Sequence, residues 1–125
     1  MKYLLLIYGD ETAMESYAAG ATPEERDAQV KVWYDYGDWL TEKGWYLAGD
    51  ALQLTSTATT VRALDGKPVV TDGPFAETKE QLGGYYLLEV ANLDEAIEAG
   101  ARCPGAYFGT IELRPVQDFP ARPGG

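Results

Sequence analysis

Two carboxylates stand out by where they sit. Asp72 opens the tetrapeptide Asp72-Gly73-Pro74-Phe75, directly after the β-branched run Val69-Val70-Thr71. Turn formers between two apolar strands hold polar side chains at a strand end, where pockets form. Asp50 interrupts the apolar run Leu47-Ala48-Gly49-Asp50-Ala51-Leu52. A carboxylate is a poor strand residue and is rarely buried unpaired. Each is a candidate catalytic acid or base. Arg62, on the following strand, and Arg114, on the last strand, are the counterions available to Asp50 or to the carboxylate of a bound substrate. Lys79, between Glu77 and Glu80, is a candidate lid residue, and Tyr85 a phenolic hydrogen-bond donor to substrate. Each also has a plainer reading. Asp72 suits an Asx turn that ties down Gly73-Pro74. Asp50 with an arginine suits an ion pair at a sheet edge. The run around Lys79 suits a solvated turn, and Tyr8 and Tyr85 suit core or interface packing.

The residues that are missing narrow the chemistry further. The chain has no histidine, so no Ser-His-Asp or Cys-His arrangement and no imidazole-ligated zinc can form. Acid–base work falls to Asp, Glu, Lys, Tyr or the lone Cys103. Cys103 is a poor nucleophile, because it has no base and sits at a helix C-terminus, where the dipole disfavours a thiolate. No glycine-rich phosphate loop or CxxC pair occurs, and the acidic residues lack calcium-loop spacing. No cofactor and no metal is expected. With 20 acidic against 10 basic residues the net charge is −10, which repels phosphate backbones and anionic membrane surfaces. One cysteine cannot form an internal disulfide, in keeping with a reducing cytoplasm. The apolar run Tyr3 to Tyr8 is too short for a signal-peptide core or a bilayer span.

These side chains need a scaffold, and 125 residues suffice for one domain burying roughly two thirds of its unfolded surface. Lys2 to Tyr8 reads as a central strand, apolar on both faces. Gly9 to Ala21 reads as a connection with one helical turn near Met14. Thr22-Pro23-Glu24-Glu25 carries a capping threonine, a proline at the first helical position and a glutamate three after the cap. It starts a helix that runs to Lys43 and stops at Gly44. Val30, Trp33, Gly37 and Leu40 form its buried stripe. Gly37 costs about 1 kcal/mol against Ala there, which a close approach to the sheet would explain. Trp45 to Leu54 and Thr59 to Leu64 read as strands. Asp65-Gly66 turns the second into a hairpin with Pro68 to Thr71. Gly84 to Ala91 is a core strand, Asn92 caps a helix ending by Cys103-Pro104, and Tyr107 to Val116 is the last strand.

That order predicts an α+β fold of ferredoxin-like βαββαβ topology, with an inserted hairpin and an antiparallel sheet. Residues 1–118 form the single domain and 119–125 a flexible tail. Helices cover one sheet face. Tyr3, Leu5 and Ile7 alternate with Leu4, Leu6 and Tyr8, so the other face is apolar too. A second copy is the expected cover, a homodimer joined through its sheet faces as a dimeric α/β barrel.

The segment Thr71 to Glu80 (TDGPFAETKE), with Tyr3 to Tyr8, Gly49-Asp50, Gly83 to Glu89, Cys103-Pro104 and Ile111 to Val116, resembles the signature of the YCII-related, or DGPF-domain, family. The resemblance spans nearly the whole chain. It implies the dimeric α/β-barrel superfamily, whose members carry pockets between helices and sheet or within the dimer. Some relatives use a proposed His-Asp pair, which this histidine-free chain cannot supply. Members of the branch often neighbour extracytoplasmic-function sigma factors, which implies a regulatory association. Two functions stand. One is a small-molecule-binding protein acting as a cofactor-independent lyase or isomerase. In it Asp72 or Asp50 is the proton acceptor, raised toward pKa ~6–7 by burial, and an arginine fixes a small anionic or polar substrate. The other is a non-catalytic module that binds a ligand or a sigma factor.

Overall fold

The computed structural model describes residues 1–124. Strand β1 (Lys2–Gly9) leads into α1 (Glu11–Gly20) and α2 (Pro23–Glu42), followed by β2 (Tyr46–Ala51). A hairpin of β3 (Thr59–Leu64) and β4 (Lys67–Asp72) comes next, then β5 (Gln81–Glu89), α3 (Leu93–Arg102) and β6 (Thr110–Pro115). Four strands form one sheet in the order β2-β5-β1-β6, and β3 pairs only with β4. Every pairing is antiparallel. This is the ferredoxin-like α+β arrangement, with the hairpin inserted between its second and third sheet strands. Among the described residues no helix is long and apolar enough to cross a membrane.

Local chemistry explains the elements. Helix α2 begins with a reciprocal capping box: the Glu25 amide donates to Thr22 Oγ1 at 3.1 Å and the Thr22 amide to Glu25 Oε1 at 3.4 Å. It ends where Gly44 takes a φ of +74°. Asn92 caps α3 by accepting from the Glu95 amide at 3.0 Å. Asp65 and Gly66 both have positive φ, as a two-residue hairpin turn requires. The connection after β1 is a full helix rather than one turn. Asp10 caps it by accepting from the Ala13 amide, but α1 buries none of its side chains, so no periodic stripe marks it.

The core lies between the sheet and α2 and α3. Leu5, Leu40, Leu88 and Cys103 are wholly buried, with Tyr3, Ile7, Tyr36 and Trp45 around them. Each such aliphatic side chain contributes about 1.5–3 kcal/mol. The α2 stripe differs from expectation: Val30 is 54% exposed, and Tyr36 takes its place in the core. Tyr36 also donates its hydroxyl to the Ala99 carbonyl at 2.6 Å, which ties α2 to α3.

The register sorts the other face. Asp50 lies opposite Tyr85, Tyr85 opposite Leu6, and Leu6 opposite Glu112. Ala48, Leu87, Leu4 and Arg114 make the adjoining row. A leucine and tyrosine stripe therefore runs down a face that no helix covers. The hairpin is solvent-exposed along nearly all of both strands, with Val61 and Val70 each more than 60% exposed. An isolated two-stranded hairpin is marginal in water.

Candidate functional site

Between α2 and the β2-β5-β1 part of the sheet lies a cavity of about 660 Å³. Glycines open it: Gly9 on β1, Gly37 on α2, Gly49 on β2, and Gly83 and Gly84 on β5. Gly37 corrects the sequence reading. A Cβ built there meets nothing within 4 Å, so this glycine marks open space and not a close approach of helix to sheet. Gly49 is the opposite case. A Cβ there would lie 2.6 Å from Cδ1 of Tyr86, because that ring rests on the bare strand. Tyr86 is held edge-on to Tyr36 and Tyr46, at centroid distances of 5.4 and 6.2 Å.

The walls are apolar and aromatic: Ile7, Met14, Trp33, Tyr46, Tyr86 and Phe108. Burial is the main cause that pushes the Tyr86 phenol up to about 12, so this hydroxyl stays neutral and able to donate. Helix α2 also turns Tyr34, Asp38 and Thr41 toward the cavity, and Thr41 Oγ1 donates back to the Gly37 carbonyl at 2.9 Å. Asp38 and Asp50 are the charged residues of the lining, which contains no lysine or arginine.

Asp50 connects this cavity to the open sheet face. Its backbone strand borders the cavity, and its carboxylate accepts the Tyr85 hydroxyl at 2.8 Å. That hydrogen bond is the leading cause that raises the Tyr85 phenol above its ordinary value, with the Asp50 charge second. Neither arginine pairs with Asp50. Arg114 is on β6, the far edge of the sheet, three strand spacings or about 14 Å away, and it lies 3.5 Å from Glu112. Arg62 belongs to the hairpin, outside the sheet. The ion pair expected at a sheet edge is thus a carboxylate–phenol hydrogen bond.

Asp72 closes β4 with its side chain exposed, and among the described residues it has no hydrogen-bond partner. The Asx turn expected there is absent. The turn is held instead by the Gly73 amide on the Ala58 carbonyl at 2.7 Å and by Thr60 Oγ1 on the Gly73 carbonyl at 2.7 Å. Gly73 has a φ of +90°, which a residue with a Cβ adopts only under strain. Phe75 is 79% exposed. Lys79 is exposed in the following loop, where Glu80 instead accepts from Thr110 Oγ1 at 2.7 Å. The six expected site residues therefore do not share one cavity. Asp50 touches it, Tyr85 is one hydrogen bond further on, and Arg62, Asp72, Lys79 and Arg114 lie elsewhere. An anion in this cavity would meet the Asp38 carboxylate and no counterion. Neither Asp50 nor Asp72 is buried in the single chain, and burial is what a base mechanism requires of them.

Met14, Asp38 and Phe108 went unread as site residues. The signal for the cavity was Gly37, a glycine in mid-helix, together with Gly49 and Gly83-Gly84 in strands. Cys103 behaves as its position suggests: it is buried, and desolvation pushes its thiol up to about 11. Among the described residues no three His, Cys, Asp or Glu side chains gather as a metal site.

Fold and cavity together define a ferredoxin-like α+β protein with a glycine-lined hollow beneath its long helix. The family model described as the YCII-related domain matches residues 1–120. An uncharacterized protein of Rhizobium meliloti (strain 1021) is 35% identical over 118 residues, covering 93% of this chain and 92% of that protein. The chain belongs to the YCII-related family.

Proposed function

We propose that this protein binds a small molecule in the cavity between α2 and the sheet, and that it works as a homodimer joined through the open sheet face. The observation that carries the first part is Gly37. A mid-helix glycine with no neighbour at its Cβ position forgoes helix stability and gains nothing in packing; what it preserves is space. Support for the dimer comes from the uncovered patch of Leu4, Leu6, Tyr85 and Leu87 and from a hairpin that stands outside the sheet with nearly all of both strands exposed. A dimer of standard size buries about 1,600 Å² in total. Residues 1–118 act as the one domain, and a cytoplasmic location fits a single unpaired cysteine.

Asp50 is the residue through which binding becomes catalysis. Its carboxylate and the Tyr85 phenol form an acid–base pair on the open sheet face, on the strand whose backbone borders the cavity, suited to a cofactor-independent proton transfer of lyase or isomerase type. The partner copy supplies the desolvation that the pair lacks alone. A second reading, a non-catalytic module that binds a protein such as a sigma factor, is favoured by one feature: Phe75 and the hairpin valines face solvent. A fragment screen by ligand-observed NMR, run on the wild type and on Gly37→Phe, tests the first reading. Hits that vanish in the variant support it, and identical hit sets overturn it.

A further inference from the structure

The geometry points to an organic cation as the ligand: a protonated amine or quaternary ammonium carrying an apolar body. This rests on the cavity being the ligand site, and it goes on to name what the cavity selects. Tyr8, Trp33, Tyr34, Tyr46, Tyr86 and Phe108 bring six aromatic residues to one hollow, with the exposed Tyr34 at its mouth. Aromatic faces attract a cation within about 6 Å of the ring centroid, Trp and Tyr more than Phe. The same chain already shows the preference elsewhere, with Arg102 4.8 Å above the Trp39 ring and Lys43 5.3 Å from that of Trp45. Inside the cavity no protein cation competes for those rings. Asp38 sets the sign of the lining, since the Asp50 carboxylate turns to Tyr85 on the open sheet face, and the net charge of −10 draws cations toward any opening in the surface. The half-buried Tyr86 phenol is neutral and holds its proton tightly, so it does not repel an anion by charge. Asp38 does, and with no lysine or arginine in the lining an anionic ligand is left without a partner.

The test uses three soluble molecules with one ring and nearly the same reach: phenethylamine, 2-phenylethanol and phenylacetate. Dissociation constants are measured by NMR titration at pH 7 for the full chain, Asp38→Asn and Gly37→Phe. Phenethylamine should bind about tenfold or more tighter than 2-phenylethanol, as cation–π attraction in a desolvated site allows, and phenylacetate should bind weakest. Asp38→Asn should weaken the amine about three- to fivefold, the range of an exposed charge pair, and leave the alcohol unchanged. Gly37→Phe should abolish both. If the alcohol or the acid binds as well as the amine, and Gly37→Phe removes them all, the cation inference fails while the cavity stands as a ligand site. If the amine binds equally to Gly37→Phe, it is held by the acidic surface, and the inference fails. If none of the three binds the wild type, both the inference and the site assignment are overturned.

Discussion

Gly37 separates a cavity kept for function from a packing defect. It lies in the middle of the twenty-residue helix α2, where glycine costs about 0.8–1.0 kcal/mol against alanine. A methyl group added there meets no atom within 4 Å, so no steric cost offsets the gain. Gly37→Ala should therefore stabilise the protein by about 1 kcal/mol. For a domain of this length that raises Tm by about 3–5 °C, read by circular dichroism at fixed protein concentration. Gly37→Phe should be at least as stable as the wild type, because phenylalanine is also a better helix former than glycine and the cavity has room for the ring. Ligand binding should weaken modestly in the first variant and disappear in the second. A fall in Tm for Gly37→Ala would show that helix and sheet close on this position in solution. The cavity would then not exist as described.

Other variants probe neighbouring parts of the account. Gly49→Ala forces a Cβ to 2.6 Å from the Tyr86 ring, and overpacking of this kind should lower stability by about 1–3 kcal/mol in chemical denaturation. Leu6→Lys or Leu87→Lys places charge in the uncovered leucine stripe; sedimentation should show the wild type near twice its 13.7 kDa chain mass and either variant near one. A wild type that sediments as one subunit at micromolar concentration would remove the dimer and the desolvation of Asp50. The Cys103 thiol, pushed up to about 11 by burial from an ordinary 9.0, holds its proton more tightly folded than unfolded. Its contribution to stability is intact below pH 9 and is lost as pH rises toward 11, so the denaturation midpoint should fall across that window. A thiol reagent should label Cys103 only on unfolding, and rapid labelling of the native protein would contradict its burial.

The fold was legible where one physical rule acted alone. The capping box at Thr22 and Glu25, the Asp65-Gly66 turn and the alternation in β1 each depend on neighbours in sequence, and each element lies where that local chemistry puts it. Helix α1 reads in sequence as a single turn because none of its residues is fully buried. The site was less legible, because charge and position along a strand say nothing of distance across a sheet. Asp50 and Arg114 sit on opposite edges, so a pairing that looks natural along the chain is out of side-chain reach. Gly37 was flagged as anomalous, but its reason was inverted. A glycine that admits a close neighbour and a glycine that leaves a hole look identical in sequence.

The most direct measurement is a 1H–15N titration of the wild type with phenethylamine, followed at its backbone amides. Glycine amides resonate apart from most others, so Gly37, Gly49, Gly83 and Gly84 report on the α2, β2 and β5 walls of the cavity at once. Shifts concentrated on these glycines, with Leu6, Leu87 and the hairpin still, are the predicted result. Shifts confined to the open sheet face or the hairpin would contradict it.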